Sequence, residues 1–520
     1  MPFFRLGIGE IQPWDEALYA VRANACLKFG AWLDQTAYAI GGLYSGTHPP
    51  LGVWLIAISK SIFGDSTFAV RFPIALAAAM SILLLWLLLL KFFSRNAAAL
   101  ATISFAASDL FLIFSHWAQM ECFILFFGLG TIYFLVQAME KERVGIAMLS
   151  GIFLSLGLMT KFGVALFILP LMIMLPWAMH KSSGIRYSMV ALLVSLVLAS
   201  PWFMMMSLKH GDYWQHIAGS LVTLSAGRYS PSKLAWWYYL NQLIVAMPVM
   251  VVALMRRKWN RIGIASIVWL CAVLAVLQMV GTKMPHFATL LLLPAAFVIA
   301  EGFNALEFQK GNTSNRIVIV MMILGICWSA SEQIRLLLTR RLAFRDLIFS
   351  VPALIIIAIA LVISFIVWVR TKEFERMAIV LSILLIGIAF SHLISEKEPV
   401  FENGAENVAH LAMSLPQKTS IVVIHSDWPN EKYAPQLAYY TEGWTLGWIP
   451  GKQSKTYTWD SVAAVNYIPD TLLDIAVVAR FEDRFYRPPQ NEAQLWNQLM
   501  SILRTRFAHE QEFRSYSLFY

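Results

Sequence analysis

Residues 72–90 read FPIALAAAMSILLLWLLLL, an apolar run without a charged side chain. Its length approaches the roughly 20 residues that a helix needs to cross a bilayer. The rest of the chain repeats the pattern: of 520 residues, 58% are hydrophobic and 14% charged, against roughly 45–50% and 25% in soluble domains. With 19 Trp, 34 Phe and a mean hydropathy of +0.63, one soluble core cannot hide this much apolar surface, so most of the chain must sit in lipid. The formal charge of +9 does not point to nucleic acid, because the basic residues form short clusters between apolar runs, the mark of membrane topology. Cys26, Cys122, Cys271 and Cys327 are far apart and imply neither a disulfide framework nor zinc. No basic stretch followed by an apolar core marks a cleavable signal peptide at the start of the sequence.

Apolar runs and Lys/Arg connections together predict a polytopic α-helical protein of about twelve spans, near 68–90, 97–114, 122–139, 144–160, 162–179, 187–206, 239–255, 263–280, 285–303, 316–333, 347–369 and 377–393. Basic residues collect in alternate connections, among them Lys91/Arg95, Lys141/Arg143, Lys181/Arg186 and Arg256/Arg257/Lys258. The positive-inside rule puts those in the cytoplasm and the opposite turns, with both terminal segments, outside. The connection 334–346 departs from this rule with Arg335, Arg340, Arg341 and Arg345, which suggests an interfacial helix or a different span count there. Residues 49–63, PPLGVWLIAISKSIF, are too short to span and fit a surface helix. The expected domains are a first extracytoplasmic loop over 1–66, a helical bundle over 67–393 and a small extracytoplasmic α/β domain over 394–520. The last shows strand-like SIVVIH at 420–425, DIAVVAR at 474–480 and a helical pattern over 491–507.

Ionisable residues at a membrane face are costly and so mark candidate chemistry. Asp15 and Glu16 head a stretch expected to be an amphipathic helix to Phe29. Paired carboxylates there can supply a general base, since desolvation or a like charge raises one of them; an acidic first helical turn explains them equally well. His48 lies in Gly46-Thr47-His48-Pro49-Pro50, and Arg71 at the outer end of the first full span is either a ligand or a snorkelling anchor. Glu121 opens a span beside His116, where an acid also suits a helix start. Lys161, Arg228, Lys233, Lys283 and His286 spread cations over the outer turns, a set able to hold a phosphate at the bilayer surface. No Walker A, GxGxxG, HExxH or GxSxG motif is present.

The ordered set W-DE-A-L-Y-A, T-HPP-L-G, FG-S-FAVRFP, Glu121, T-K-F-G and T-K-M-P-H-F followed by L-L-L-P resembles the GT-C membrane glycosyltransferases, most closely the protein O-mannosyltransferase and ArnT-like (aminoarabinose transferase) group. The resemblance covers nearly the whole chain. It implies an inverting enzyme that moves a sugar from a polyprenyl-phosphate carrier to a lipid, protein or glycan acceptor at the outer face of a bacterial inner membrane. Position by position, it makes Asp15 the general base and Glu16 its catalytic neighbour. His48 falls in the adjoining loop, Glu121 matches the acid of the second outer turn, and Lys161 and Lys283 lie near the carrier phosphate. Arg71, Arg228 and His286 complete the substrate-binding set. No cofactor is required on this reading, and a divalent metal, where one takes part, falls to His48 and Glu121. Two departures stand out: the acid that relatives carry just before His-Pro-Pro is missing, and the family's helix ahead of Asp-Glu has no counterpart in the fourteen residues before Asp15, so a start further upstream is expected. The rival classes are a lipid-linked sugar flippase, set apart by midplane charges and paired repeats that this sequence lacks, and an inactive homologue.

Overall fold

The structure, a computed structural model, describes residues 2–13, 15–39, 42–43, 48–225, 237–247, 249–254, 259–304, 404–415, 418–425, 433–458, 474–479, 492–513 and 515–520. The spans expected at 316–333, 347–369 and 377–393, the 334–346 connection, Arg228, Lys233 and Thr47 lie outside the described residues. Two compact units emerge: one of Met1–Phe4, Ile74–Phe203 and Leu234–Pro399, the other of Arg5–Pro73, Met204–Lys233 and Val400–Tyr520.

The first unit is helical. Among the described residues of the chain, five helices are long and apolar enough to cross a membrane: Thr67–Leu89, Glu121–Lys141, Ser182–Lys209, Arg261–Met279 and Pro285–Asn304. A sixth span results if Arg95–Ala106 and Asp109–His116, bent by 56°, are counted as one. That bend lies within the run expected at 97–114, where Ser108 interrupts the helix by accepting from the Phe111 amide as an N-cap. The run 144–160 yields the shorter helix Val144–Leu158, and 162–179 a 3-10 turn Val164–Ile168 that continues into Leu169–Ala178. The stretch 239–255 forms two short helices, Tyr238–Ala246 and Val249–Leu254.

Leu193, Leu196, Val197, Val276 and Met279 are exposed on the outside of these helices, the arrangement that lipid tails favour and water does not. Inside, small residues let helix backbones approach closely. The Ser150 hydroxyl donates to the Thr131 carbonyl at 2.7 Å, and a Cβ placed on Gly151 would lie 2.6 Å from the Ala191 carbonyl oxygen.

The second unit joins the amino-terminal segment to a five-stranded sheet of order β2-β1-β3-β5-β4. Strand β1, Ser420–His425, runs parallel to β2, Gln453–Thr458, and to β3, Ile475–Ala479. Strand β5, Tyr516–Phe519, is antiparallel to β3 and to β4, Glu510–Glu512. Alternation along the strands covers both faces. Ile421, Val423, Ile475 and Val477 pack with Val408, Leu437 and Trp444, while Val422, Ile424, Ala476 and Val478 pack with Leu499 and Leu503 of the helix Glu492–Arg506. The two strand-like runs and the helix read from the sequence are all present.

The helix Asp15–Phe29 packs against the helices Leu51–Phe63 and Tyr433–Tyr440. It is not the amphipathic helix expected: every residue from Glu16 to Cys26 is buried, because neighbours cover it on all sides. Buried hydrogen bonds fix the segment before it to the sheet domain. The Ile11 amide donates to the Tyr440 hydroxyl at 2.7 Å, the Gln436 amide to the Ile11 carbonyl at 2.7 Å, and the Glu10 carboxylate accepts from the Gly404 and Glu406 amides at the start of the helix Ala405–Ser414.

Replacing Gly151 by Leu drives a side chain into the Ala191 backbone, where nothing can yield cheaply. The variant is expected to melt several degrees lower than the parent in detergent, measured by fluorescence-detected size exclusion after heating, whereas Gly145→Leu, at a position where a Cβ meets nothing within 4 Å, leaves the melting temperature unchanged.

Candidate active site

Asp15 and Glu16 are adjacent in sequence but differ in surroundings. Glu16 is fully buried, and Arg71, in the first turns of the helix Thr67–Leu89, meets it with Nε donating to Oε1 at 2.7 Å and Nη2 to Oε2 at 2.9 Å. Arg71 also donates to the carbonyls of Leu6, Ile8 and Glu10. Its five N–H groups therefore have five acceptors, which saturates the guanidinium. Glu16 in turn accepts from the Gln12 amide at 2.7 Å, closing the helix start in the manner of a capping box. Asp15 stands one position earlier, partly exposed, and among the described residues no hydrogen bond or ion pair engages its carboxylate.

On the same helix, Tyr19 stands edge-on to the His48 ring with centroids 6.4 Å apart. Arg22 donates through Nη2 to the Gln35 side-chain oxygen at 2.8 Å and to the His48 carbonyl at 2.9 Å. Burial lowers the Arg22 guanidinium to about 10, partly countered by Tyr19, Cys26 and Asp34, so it stays charged at neutral pH. Asp34 is engaged elsewhere: Oδ1 accepts from the Thr36 amide and hydroxyl, and Oδ2 from Lys209 at 2.6 Å and His210 at 3.0 Å. Burial pushes its carboxyl up, but these donors together hold it below the ordinary carboxylate range.

The first unit gathers three of the residues singled out in the sequence. Glu121 is buried in the first turn of the helix Glu121–Lys141, Lys161 donates to its Oε1 at 2.6 Å, and His286 Nε2 stands 3.9 Å from the same oxygen. Among the described residues Glu121 Oε2 has no hydrogen-bond partner. Lys283 is used differently. Its ammonium donates to the carbonyls of Leu277, Gln278 and Val280 and so caps the end of the helix Arg261–Met279. Among the described residues no group of three or more His, Cys, Asp and Glu side chains that could hold a metal occurs.

Sequence reasoning passed over two groups. Arg22 is the first, although its spacing of seven from Asp15 puts both on one helical face. Lys60 is buried and paired with Asp65, which also accepts from the Tyr439 hydroxyl at 2.8 Å. Burial lowers the Lys60 ammonium, and Asp65 partly restores it. Lys60 and Asp65 are only five positions apart, but Tyr439, which completes the cluster, is remote along the chain and left no signal in the sequence.

The fold is shared with a solved structure of known name. ArnT from Cupriavidus metallidurans superposes with a TM-score of 0.67 in the apo state and 0.68 bound to undecaprenyl phosphate, at 14% identity, covering 100% of this chain and 95% of that one. A family model described as dolichyl-phosphate-mannose-protein mannosyltransferase matches residues 47–205. The chain is 28% identical over 307 residues to the undecaprenyl phosphate-alpha-4-amino-4-deoxy-L-arabinose arabinosyl transferase of Pseudomonas savastanoi pv. phaseolicola, over 55% of this chain and 56% of that protein. To transferase 2 of that name from Pseudomonas fluorescens it is 26% identical over 349 residues, 62% of each chain. The chain thus spans little more than half the length of these curated relatives. The resemblance to the ArnT-like GT-C group read from the sequence is borne out in all three comparisons, and the apolar helices make the chain a multi-pass membrane protein.

Two stability measurements test the geometry. Arg71→Met leaves a buried, unpaired Glu16 and is expected to cost about 3–5 kcal/mol, whereas Arg71→Met combined with Glu16→Met recovers most of that loss; chemical denaturation in detergent reads both. For Asp34, whose folded value lies below the unfolded one of about 3.9, the stabilisation is complete above that pH and disappears as pH falls towards the folded value. Asp34→Asn is therefore expected to melt below the parent at neutral pH, with the gap closing below about pH 4 in a melting-temperature series.

Proposed function

We propose that this protein is an inverting glycosyltransferase that moves a sugar from a polyprenyl-phosphate carrier to an acceptor hydroxyl on the extracytoplasmic face of a bacterial inner membrane. One observation carries the reading. Of the two adjacent carboxylates, Glu16 is consumed by Arg71, and Asp15 is left partly exposed and, among the described residues, unengaged at the head of a buried helix. That is the state a general base needs: fixed in position by its neighbours and open to a proton from outside.

In the proposed step, Asp15 takes the proton of the acceptor hydroxyl as its oxygen bonds to the anomeric carbon. The bond from that carbon to the phosphate oxygen breaks, and its electron pair leaves with the polyprenyl phosphate. Lys161, with Arg228, is assigned to the negative charge growing there, a role in which fixed cations do more than solvent; Lys283, expected from the sequence to share it, is committed to its helix cap. Glu121, His286 and His48 are assigned to holding sugar or acceptor, and Glu16 and Arg71 to positioning Asp15. The chemistry is assigned to side chains, without a required cofactor. Twelve spans, a first loop over 1–66 and a carboxy-terminal domain over 394–520, both extracytoplasmic, complete the proposed topology. The Pseudomonas relatives are named for transfer of an aminoarabinose from undecaprenyl phosphate, and one ArnT structure contains that carrier, which favours undecaprenyl phosphate as the carrier.

Transfer of radiolabelled sugar from undecaprenyl-phosphate donors to bacterial membrane extracts tests this. Asp15→Asn is expected to lower transfer by about 10²–10⁴-fold with carrier binding intact. Equal rates for Asp15→Asn and parent would remove Asp15 as the base, and carrier-linked sugar crossing vesicle membranes without transfer would favour the flippase.

A further inference from the structure

Two arginines of the second unit are buried to the same degree and treated in opposite ways. Arg71 is 2% exposed, and each of its donors meets an acceptor. Arg22 is 1% exposed, yet only its Nη2 is used, towards Gln35 and the His48 carbonyl. Its Nε and Nη1 have no hydrogen-bond partner among the described residues. A guanidinium removed from water with three of five N–H groups idle is a liability that folding alone does not explain. Asp34, whose charge acts on it, cannot supply the missing acceptors, because its oxygens are occupied by Thr36, Lys209 and His210.

The helix sets the direction. Asp15, Tyr19 and Arg22 follow at intervals of four and three, so they share one face, whereas Glu16 meets Arg71 on another. At about 1.5 Å rise per residue, seven residues put the Asp15 and Arg22 backbones about 10 Å apart along the axis. An inverting displacement needs a base at the attacking oxygen and a cation at the leaving oxygen, on opposite sides of a sugar ring. A carboxylate and a guanidinium at this spacing fit that demand.

We propose that the idle Nε and Nη1 of Arg22 bind the phosphate of the polyprenyl-phosphate donor, making Arg22 a donor-binding residue on the same face as the base. This rests on the transferase reading above. A planar, permanently charged fork suits two phosphate oxygens better than an ammonium does. A residue retained for a ligand at the expense of folding leaves a signature: removing it weakens binding and does not weaken the fold.

The test measures the melting temperature of the full chain in detergent, alone and titrated with sugar-free undecaprenyl phosphate or with phosphatidylglycerol, for the parent, Arg22→Met, Arg22→Gln and Arg22→Lys. Arg22→Met is expected to melt at or above the parent and to bind undecaprenyl phosphate at least tenfold more weakly, with Arg22→Lys intermediate and phosphatidylglycerol indifferent to all. Should Arg22→Met fail to fold, the same loss in Arg22→Gln decides. A lower melting temperature with unchanged carrier affinity would make Arg22 a structural residue and overturn the assignment. A loss confined to phosphatidylglycerol would give the phosphate to another lipid and overturn it as well. If the parent itself does not bind undecaprenyl phosphate, the transferase reading fails with it; if parent and variants bind equally, only the assignment of Arg22 fails.

Discussion

A carboxylate cannot remain ionised inside a protein without a cation and further donors beside it, and Glu16 meets that demand through Arg71. The consequences spread through the second unit. Because Arg71 also collects the carbonyls of Leu6, Ile8 and Glu10, the irregular segment ahead of the helix Asp15–Phe29 has its backbone polar groups answered where no secondary structure does so. With that segment held, Glu10 reaches the first amides of the helix Ala405–Ser414, and Ile11 exchanges hydrogen bonds with Tyr440 and Gln436. One ion pair thereby fixes the start of the helix that carries Asp15, and the loop before it fixes that helix to the sheet domain.

The same constraint sorts the polar residues of the chain into two kinds. Lys283 spends its ammonium on three backbone carbonyls, and Glu10 spends its carboxylate on two amides; these charges complete helix ends that lipid or protein would otherwise leave unsatisfied. Among the described residues, Asp15, Glu121 Oε2 and the Nε and Nη1 of Arg22 are not spent in this way. Sequence motifs treat both kinds alike, since a Lys in T-K-F-G and a Lys in T-K-M-P-H look equivalent until their hydrogen bonds are known.

How much was legible follows from what each signal measures. Long apolar runs report burial in lipid directly, so the helices Thr67–Leu89 and Glu121–Lys141 match their predicted spans closely. The same signal is blind to a polar interruption: Ser108 caps a new helix inside the run 97–114 and bends it. In the sheet domain the buried strands β1 and β3 are continuous Val/Ile runs and were readable. The strands β2, QSKTYT, and β4, EQE, lie at the sheet edges, where solvent relaxes the demand for apolar residues and leaves no pattern to find. The helix Asp15–Phe29 shows the reverse failure. It was expected to be amphipathic, yet Glu16 and Arg22 are both buried, because partners elsewhere in the sequence answer one of them and part of the other.

The candidate residues were legible as types and not as roles. Sequence alone placed Asp15 and Glu16 together and could not tell which of them is structurally committed, because the distinction is made by Arg71, fifty-five positions from Glu16. A carboxylate pair of this kind gains from the division of labour. Two equally solvated acids would compete for one proton and share any cation nearby, whereas locking Glu16 removes it from that competition and leaves its charge compensated. The rigid acid then sets the position of its neighbour by one peptide unit, which is the shortest lever a chain offers. Proton transfer depends steeply on the distance between base and hydroxyl, so in the proposed reaction Asp15 gains from standing next to Glu16, which the five-fold bonded Arg71 guanidinium locks in place.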